Sequence, residues 1–171
     1  MTFTLKPVDP VADLDLIHDW VTQDRARFWG MTEHTRAEVG EVYAYLDTLT
    51  SHHAYLARDG ETPVAIFQTY EPEADPLGEF YDVRAGDLGV HLFIAPSDEP
   101  VTGFSQRLVA RLTAEVFADP SVLRLVIEPD MENSKSVALL SRAGFEWDSI
   151  IDLPHKKARL GFLSRTAYEA R

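Results

Sequence analysis

The sequence predicts an α+β protein organised around one strand–helix–strand unit near the middle of the chain. Asp87–Ile94 alternates apolar and polar residues, which is typical of a half-buried strand. Gly103–Phe117 carries apolar residues at helical spacing, and Val122–Ile127 is a second apolar strand. Two strands joined by a single helix run parallel with a right-handed crossover. Their C-terminal ends and the first turn of the helix are therefore expected at one crevice, with His91 and Asp130 near its rim.

Local signals predict further elements on both sides of this unit. A capping box at Thr35–Glu38 opens a helix, and Gly144 is placed to end one. Glu71–Gly86 is a long polar loop, and loops of this length are commonly functional or mobile. No internal repeat or linker is visible, so residues 1–171 are predicted to form a single domain. The other predicted elements are a strand at Phe3–Lys6, a helix capped by Asp9 that ends near Gln23, a hairpin of Ala54–Arg58 and Val64–Tyr70, a helix from Asn133 to Arg142, strands at Phe145–Leu153 and Arg159–Leu163, and a short helix from Ser164.

The composition is that of a globular protein, with 45% hydrophobic and 26% charged residues. The chain has no cysteine, which excludes disulfides and thiolate metal sites. The net charge of −12 argues against a nucleic-acid partner and favours a cationic small molecule, although an acidic surface also serves solubility. Neither a signal peptide nor an apolar run of membrane-spanning length is visible, so a cytoplasmic location is expected.

Two titratable residues stand out at the ends of the predicted parallel strands. His91 is suited to general base catalysis because the ordinary pKa of histidine is near neutrality. Alternation places Leu88 and Val90 on one face of the strand and His91 on the other, beside Gly89, which leaves room for a neighbour. Asp130 has two interpretations, either a turn or cap residue for the next helix or a carboxylate that orients His91 or binds an amine.

The order of the predicted elements, together with the segment from Asn133 to Phe145, resembles the GNAT superfamily of acyl-CoA N-acyltransferases. The resemblance covers nearly the whole chain. It implies an α/β/α layered fold with a central mixed, mostly antiparallel sheet of about seven strands and one parallel strand–helix–strand unit. Gly89–Pro96 and Glu128–Asp130 are similar to the hydroxamate-siderophore acyltransferases. Those enzymes acylate the side-chain amine or N-hydroxylamine of lysine, ornithine or cadaverine.

The resemblance assigns roles to individual residues. It places a catalytic histidine on the fourth strand, here His91, and a catalytic aspartate just after the fifth, here Asp130. It implies acetyl-CoA or another acyl-CoA as co-substrate and no metal. The residues expected to contact the acyl-CoA are Phe93, Ile94, Thr102, Gly103, Phe104, Ser105, Asn133 and Ser136. The residues expected to contact the acceptor substrate are Trp29, Gln68, Glu71, Asp82 and His91.

The expected diphosphate site is the start of the helix at Thr102–Ser105, where free N–H groups and the helix dipole attract an anion. Val101–Ser105 departs from the phosphate loop that the resemblance implies, because a glycine fills only one of the two usual small-residue positions. Leu140 takes the place of a tyrosine that protonates the departing thiolate in many GNAT enzymes, so the general acid is unassigned.

The expected function is transfer of an acetyl or other short acyl group to the side-chain hydroxylamine or amine of an N-hydroxylated diamine or diamino acid in hydroxamate siderophore biosynthesis, and hence iron acquisition. A lysine-type amine with a pKa of about 10.4 must lose a proton before it attacks, whereas a hydroxylamine arrives neutral, and a His–Asp pair suits the latter. An aminoglycoside 6′-N-acetyltransferase is the alternative, through similarity at Trp20, Trp29-Gly30 and Gln68–Tyr70. A GNAT-fold module that binds acyl-CoA without turnover is a third. The expected partners are acyl-CoA and a cationic small molecule, with no nucleic acid and no membrane, for a monomer or homodimer.

Overall fold

The computed structural model describes residues 2–171. Along this range the strands and α-helices occur in the order β1 (Phe3–Pro7), α1 (Leu14–Val21), α2 (Arg36–Thr48), β2 (His52–Asp59), β3 (Thr62–Tyr70), β4 (Asp87–Ile94), α3 (Phe104–Phe117), β5 (Arg124–Ile127), α4 (Ser134–Arg142), β6 (Glu146–Leu153), β7 (Lys156–Ser164) and α5 (Arg165–Glu169). None of the helices between residues 2 and 171 is long and apolar enough to cross a membrane.

The strands form one mixed sheet of seven strands in the order β1-β2-β3-β4-β5-β7-β6. β4 and β5 are parallel, with a register that runs from Asp87 opposite Arg124 to Gly89 opposite Val126. The pairs β1–β2, β5–β7 and β6–β7 are antiparallel. The predicted mixed sheet with a parallel β4–α3–β5 unit is therefore confirmed, and the chain has the fold class that the GNAT resemblance implied.

The chain divides into two compact units, and β4 contributes to both. Unit one comprises the chain up to Thr69 together with His91–Glu99, and unit two comprises Tyr70–Val90 and Pro100–Arg171. The core of unit one is formed by α1 and α2 against β2, β3 and the end of β4, with Ile17, Val39 and Phe93 among its buried residues. Because α1 and α2 are amphipathic, burying their apolar faces places the connection between them beside β4.

Unit two contains two apolar clusters around β5 and β7. One includes Val126, Leu160 and Ala158, and the other includes Phe117 at the end of α3 and Leu125 on β5. Alternation along β5 explains this division, since successive side chains of a strand point to opposite faces. The apolar stripe predicted for α3 is also present, because its Leu108 and Leu112 are buried.

Several predicted boundaries shift for identifiable reasons. Asp9 does not cap α1, because its carboxylate accepts hydrogen bonds from Val11 and Ala12 and so shapes a turn that precedes the helix. Asp13 is the N-cap instead. The predicted polar loop at Glu71–Gly86 contains two short 3-10 turns, at Pro72–Ala74 and Pro76–Glu79. Each begins with a proline, whose fixed φ suits the first position of a helical turn.

Candidate active site

His91 lies on the β4 segment of unit one, where it contacts an aromatic side chain. Its ring meets the ring of Trp29 edge-on, with the centroids 6.4 Å apart, and Trp29 also contacts Phe93 at 5.7 Å. His91 and Trp29 are both half-buried. Trp29 ends a 3-10 helix at Asp24–Trp29, and the following Gly30 has a φ of 86° that only glycine adopts readily. The structure therefore brings two of the predicted acceptor-site residues together.

Tyr43 on α2 adds a polar group to this part of unit one that the sequence did not indicate. The residue is only 2% exposed, and no hydrogen-bond partner lies within reach of its hydroxyl among the described residues. Burial raises the pKa of Tyr43, while polar groups of Trp29 and Gln68 act on it in the opposite direction. Leaving a buried hydroxyl without a hydrogen bond costs about 1–3 kcal/mol.

The two β4 residues predicted to contact acyl-CoA have partners within unit one. Phe93 is 7% exposed and packs in the core, where its ring centroid is 6.4 Å from that of Trp20. The carbonyl of Ile94 accepts a hydrogen bond from Nη1 of Arg25 at 3.1 Å. The N–H of Ala95 donates to the carbonyl of Val64 on β3 at 2.9 Å, so β4 stays paired with β3 beyond its last residue. The parallel ladder to β5 ends earlier, at Gly89.

Gly89 is required by a close approach within unit two. A Cβ atom built on it would lie 2.1 Å from Cζ of Tyr70, so any other residue would collide with that ring. The room that Gly89 leaves is therefore filled by the ring of Tyr70. The hydroxyl of Tyr70 donates to Oε2 of Glu128 at 2.8 Å, and the ammonium of Lys156 lies 3.5 Å from Oε1 of Glu128.

Glu128, which the sequence analysis included only as part of the Glu128–Asp130 segment, is a buried acid of unit two. It is 5% exposed and pairs with both Tyr70 and Lys156. Burial and the adjacent Glu128 carboxylate both raise the pKa of Tyr70, so the phenol stays protonated. The sequence contained one indication that Glu128 is buried, because this acid directly follows the apolar run Leu125–Ile127 of a buried strand.

Asp130 also lies in unit two, at the end of the segment that follows β5. Its Oδ1 accepts a hydrogen bond from the N–H of Glu132 at 2.9 Å, and its carbonyl accepts one from the N–H of Asn133 at 3.0 Å. The turn role that the sequence allowed for Asp130 is therefore present. It is half-buried, and its pairing with His91 of unit one stays a prediction.

Asn133 and Ser136 contact each other at the start of α4. The side-chain oxygen of Asn133 accepts a hydrogen bond from the N–H of Ser136 at 3.2 Å and so caps the helix. Leu140 on the same helix packs against the apolar cluster that contains Phe117.

The start of α3 has the features of an anion site. Gly103, the N-cap, has a φ of 74° and no side chain to occupy the free N–H groups of the helix. The N–H of Phe104 closes the preceding turn by donating to Val101. The next two N–H groups, those of Ser105 and Gln106, have no acceptor within the helix. They point along a helix of 14 residues whose dipole attracts negative charge.

Arg107 adds a positive charge to this turn, which the sequence analysis did not include. A Cβ atom built on Gly103 would lie 3.0 Å from Nη1 of Arg107, so the guanidinium lies over the glycine. A cation at a helix N-terminus is unfavourable for the helix itself but favours a bound anion. Thr102 is exposed at the same turn, and no acid occurs in the first turn of α3 within the described chain. These residues fit the diphosphate of an acyl-CoA.

Glu71 and Asp82, the two predicted acceptor residues in the loop after β3, lie in unit two. Glu71 is exposed and begins the first 3-10 turn. Asp82 lines an open cavity of about 570 Å³, whose wall also carries Glu73, Asp75 and Glu79. Such a concentration of carboxylates suits a polycation. No group of three or more His, Asp or Glu side chains that could hold a metal ion is found in residues 2–171.

Comparisons with known proteins identify the family of the chain. Residues 9–153 match the family model described as acetyltransferase (GNAT) domain. The chain is 26% identical to N(6)-hydroxylysine O-acetyltransferase of Escherichia coli, with 92% of the chain and 50% of that protein covered. It is also 26% identical to the lysine N-acyltransferase MbtK of Mycobacterium sp. (strain MCS), with 98% and 69% covered. The chain thus spans half the length of the Escherichia coli relative.

Solved structures show the same fold. The aminoglycoside acetyltransferase AAC(6')-Ib in complex with ribostamycin and coenzyme A has a TM-score of 0.87 and 24% identity, covering 99% of this chain and 97% of the other. Because the family model covers most of the chain, family membership does not depend on any single relative. The chain belongs to the GNAT acetyltransferase domain family.

Proposed function

We propose that this protein transfers an acetyl or other short acyl group from acyl-CoA to the side-chain hydroxylamine or amine of an N-hydroxylated diamine or diamino acid, in hydroxamate siderophore biosynthesis. The observation that carries the proposal is His91, a half-buried imidazole held edge-on against Trp29 in unit one. The named activities of the relatives on hydroxylysine and lysine support the choice of acceptor class. A relative from Acinetobacter baumannii named N-hydroxyputrescine acetyltransferase supports it further.

His91 serves as the general base in this proposal. As the new N–C bond forms and the C–S bond of the thioester breaks, the acceptor nitrogen loses one proton, which the imidazole takes up. The departing thiolate takes up one proton, so the overall transfer is balanced. The T-shaped contact with Trp29 limits the orientations that the imidazole can adopt. Asp130 is proposed to stabilise the imidazolium or to bind the acceptor amine.

The acceptor class follows from proton chemistry. An alkyl amine with a pKa of about 10.4 is almost fully protonated at neutral pH, so it must be deprotonated before attack. A hydroxylamine is much less basic, reaches the site neutral, and requires a base only to collect its proton as the bond forms. An imidazole is suited to collecting that proton, because the ordinary pKa of histidine is near neutrality. We therefore place hydroxylamines ahead of simple amines as acceptors.

The first turn of α3 is proposed to hold the donor. When bound there, acyl-CoA supplies the activated acyl group. The N–H groups of Ser105 and Gln106 and the guanidinium of Arg107 would contact its diphosphate, since all three are donors at a helix start. Gly103 keeps the backbone accessible because it carries no side chain.

A second candidate function is aminoglycoside N-acetylation. The acidic cavity at Glu73–Asp82 favours it, because aminoglycosides carry several ammonium groups that four carboxylates would attract. Under this alternative, Asp82→Asn combined with Glu79→Gln raises the KM for kanamycin. Under the first proposal, Glu79→Gln alone leaves hydroxylamine turnover within about twofold, because an isolated exposed charge contributes little.

A thiol-release assay that crosses acyl donors with acceptors tests the proposal. Acetyl-CoA and succinyl-CoA are each combined with N6-hydroxylysine, N-hydroxyputrescine, lysine and kanamycin. We expect the highest kcat/KM with a hydroxylamine and its loss in His91→Ala. Preferred turnover of kanamycin would establish the second candidate instead. Measurable CoA binding without thiol release from any acceptor would refute both and indicate a binding module.

A further inference from the structure

Arg25 is held beside the aromatic side chains of the candidate active site in unit one. Its Nη1 donates a hydrogen bond to the carbonyl of Ile94 at 3.1 Å, and its Cζ lies 5.9 Å from the ring centroid of Phe93. That distance is within the range of cation–π attraction. Phe93 in turn contacts Trp29, whose ring meets that of His91. These contacts hold an exposed guanidinium near the proposed general base.

The carbonyl that Arg25 contacts lies on the edge of β4 that faces away from β3. The N–H of Ala95 donates to Val64 on β3, and the carbonyl of a trans peptide points away from the N–H of the same peptide. Ile94 therefore directs its carbonyl toward the edge on which the parallel ladder ends at Gly89. Nη1 of Arg25 satisfies this carbonyl and so fixes the guanidinium at an unpaired strand edge.

Most of the hydrogen-bonding capacity of Arg25 is left for another group. A guanidinium has five N–H donors, and within residues 2–171 only Nη1 of Arg25 donates a hydrogen bond. No acid of this range forms an ion pair with Arg25, whereas Lys6, Arg36 and Arg58 of the same unit each have an acidic partner. The Nε and Nη2 edge is a planar fork that matches the two oxygens of a carboxylate. Arg25 is therefore equipped to bind a carboxylate.

The spacing along β4 fits an amino acid with a long side chain. Ile94 follows His91 by three residues, which is about 10 Å in a strand. In an extended N6-hydroxylysine the hydroxylamine nitrogen and the carboxylate carbon are about 7–8 Å apart, since six bonds separate them. With a hydrogen bond of about 3 Å at either end, the molecule is long enough to connect the imidazole with the guanidinium. The net charge of −12 repels an anion, so a substrate carboxylate needs a local cation.

We infer that Arg25 is a specificity-determining residue that binds a substrate carboxylate. That group is the α-carboxylate of a diamino-acid acceptor or the terminal carboxylate of a dicarboxylic acyl donor. The inference rests on the proposed function and adds a substrate feature that distinguishes amino acids from diamines. Arg25 stabilises the bound anion through charge-assisted hydrogen bonds and takes no part in proton transfer. Its bond to Ile94 holds the guanidinium in place before the substrate arrives, which reduces the entropy lost on binding.

Two pairs of substrates that differ in one carboxylate test the inference. N6-hydroxylysine is compared with N-hydroxycadaverine, its decarboxylated counterpart, as acceptor from acetyl-CoA. Succinyl-CoA is compared with butyryl-CoA as donor to N-hydroxycadaverine. Arg25→Gln should lower the ratio of kcat/KM within one pair, carboxylate-bearing member over its partner, by about 10- to 150-fold, the range for hydrogen bonds to a charged group. The affected pair identifies which substrate supplies the carboxylate.

The ratio within each pair separates recognition from structural support. Loss of the hydrogen bond to Ile94 would weaken both members of a pair alike and leave their ratio unchanged. Arg25→Lys keeps the charge without the fork, so it should restore part of the ratio. Arg27→Gln is the matched control and should change neither ratio, because Arg27 is exposed on the same 3-10 helix and lies over Phe28 at 4.6 Å. Unchanged ratios for both pairs in Arg25→Gln would overturn the inference.

Binding measurements make the test independent of turnover. Dissociation constants from calorimetry, measured for each acceptor and each acyl-CoA alone, should show the same change in ratio. If neither hydroxylamine is acylated but Arg25→Gln still changes one binding ratio, the proposed function is wrong and the role of Arg25 stands. If hydroxylamines are acylated and both ratios stay unchanged, the proposed function stands and the role of Arg25 is wrong.

Discussion

Replacing Gly103 with alanine tests whether the first turn of α3 holds the acyl-CoA. Gly103 has a φ of 74°, in the left-handed region, and a Cβ atom there would lie 3.0 Å from Nη1 of Arg107. The contact is with the flexible end of a side chain, which can move away. The backbone conformation is therefore the main cost, about 1–2 kcal/mol for a residue with a Cβ atom.

The loop before α3 decides whether this conformational cost lowers the stability of the free protein or its affinity for CoA. Val101 and Thr102 are exposed, so the turn can relax in the free protein and must be restored when the diphosphate binds. A penalty of about 1–2 kcal/mol then weakens CoA binding by about 5- to 30-fold. The acceptor KM should not change, because no acceptor residue is proposed in this turn.

Gly60→Ala provides the matched control. Gly60 has a φ of 58° in the β2–β3 turn, and a Cβ atom there would meet nothing within 4 Å. The same conformational cost should lower the free energy of unfolding of Gly60→Ala by about 1–2 kcal/mol. In a chain of this size, that lowers Tm by about 2–8 °C. Its dissociation constant for CoA, measured by calorimetry, should equal that of the unmodified protein. Unchanged CoA affinity in Gly103→Ala, or equal weakening in both variants, would refute the assignment of α3.

The other predictions concern titratable groups. His91→Ala should lower kcat by about 100-fold or more with CoA affinity unchanged, whereas the exposed His53→Ala should have no effect; full turnover would make His91 structural. Asp130→Asn keeps a side-chain oxygen that can accept the hydrogen bond of the turn, so Tm should stay unchanged while kcat falls. Unchanged kinetics would mean that Asp130 has only the structural role. Burial opposes the charge of Asp87, but hydrogen bonds led by Arg124 outweigh it and lower its pKa. Asp87→Asn should therefore cost about 3 kcal/mol at pH 7, and the difference should shrink as the pH falls below about 4 through the lowered pKa; an equal difference in urea unfolding at pH 3 would contradict this.

The sequence predicted best those features whose causes are local. The capping box at Thr35–Glu38 and the glycine at position 144 are read from neighbouring residues, and both are found. β4 was also predicted at its observed bounds, because alternation and the flanking Gly86 and Pro96 define it. The prediction that Asp9 caps α1 was wrong because an aspartate before a proline suits a turn as well as a helix start.

Long-range pairs could not be read from the sequence in this way. Tyr70 and Glu128 are 58 positions apart, and only the fold makes them neighbours. The same holds for Gly89, whose purpose depends on the ring of Tyr70. Arg107 was missed for another reason, since a helical arginine is usually solvated and only its position over Gly103 distinguishes it. Site residues supplied by resemblance, such as Asn133, have a structural role as a cap that the resemblance did not reveal.

The two carboxylates after β5 differ in what they can do chemically. Glu128 is buried and already has partners for both oxygens, the hydroxyl of Tyr70 and the ammonium of Lys156, so its charge is compensated inside unit two. Between the two carboxylates, the carbonyl of Pro129 accepts a hydrogen bond from the backbone of β7 at 2.9 Å. Asp130 is half-buried and is held by backbone on either side, which fixes its position without neutralising its charge. Since removing one partner of a buried ion pair is strongly destabilising, we expect Glu128 to stabilise the segment, and we propose Asp130, not Glu128, as the carboxylate that contacts a substrate.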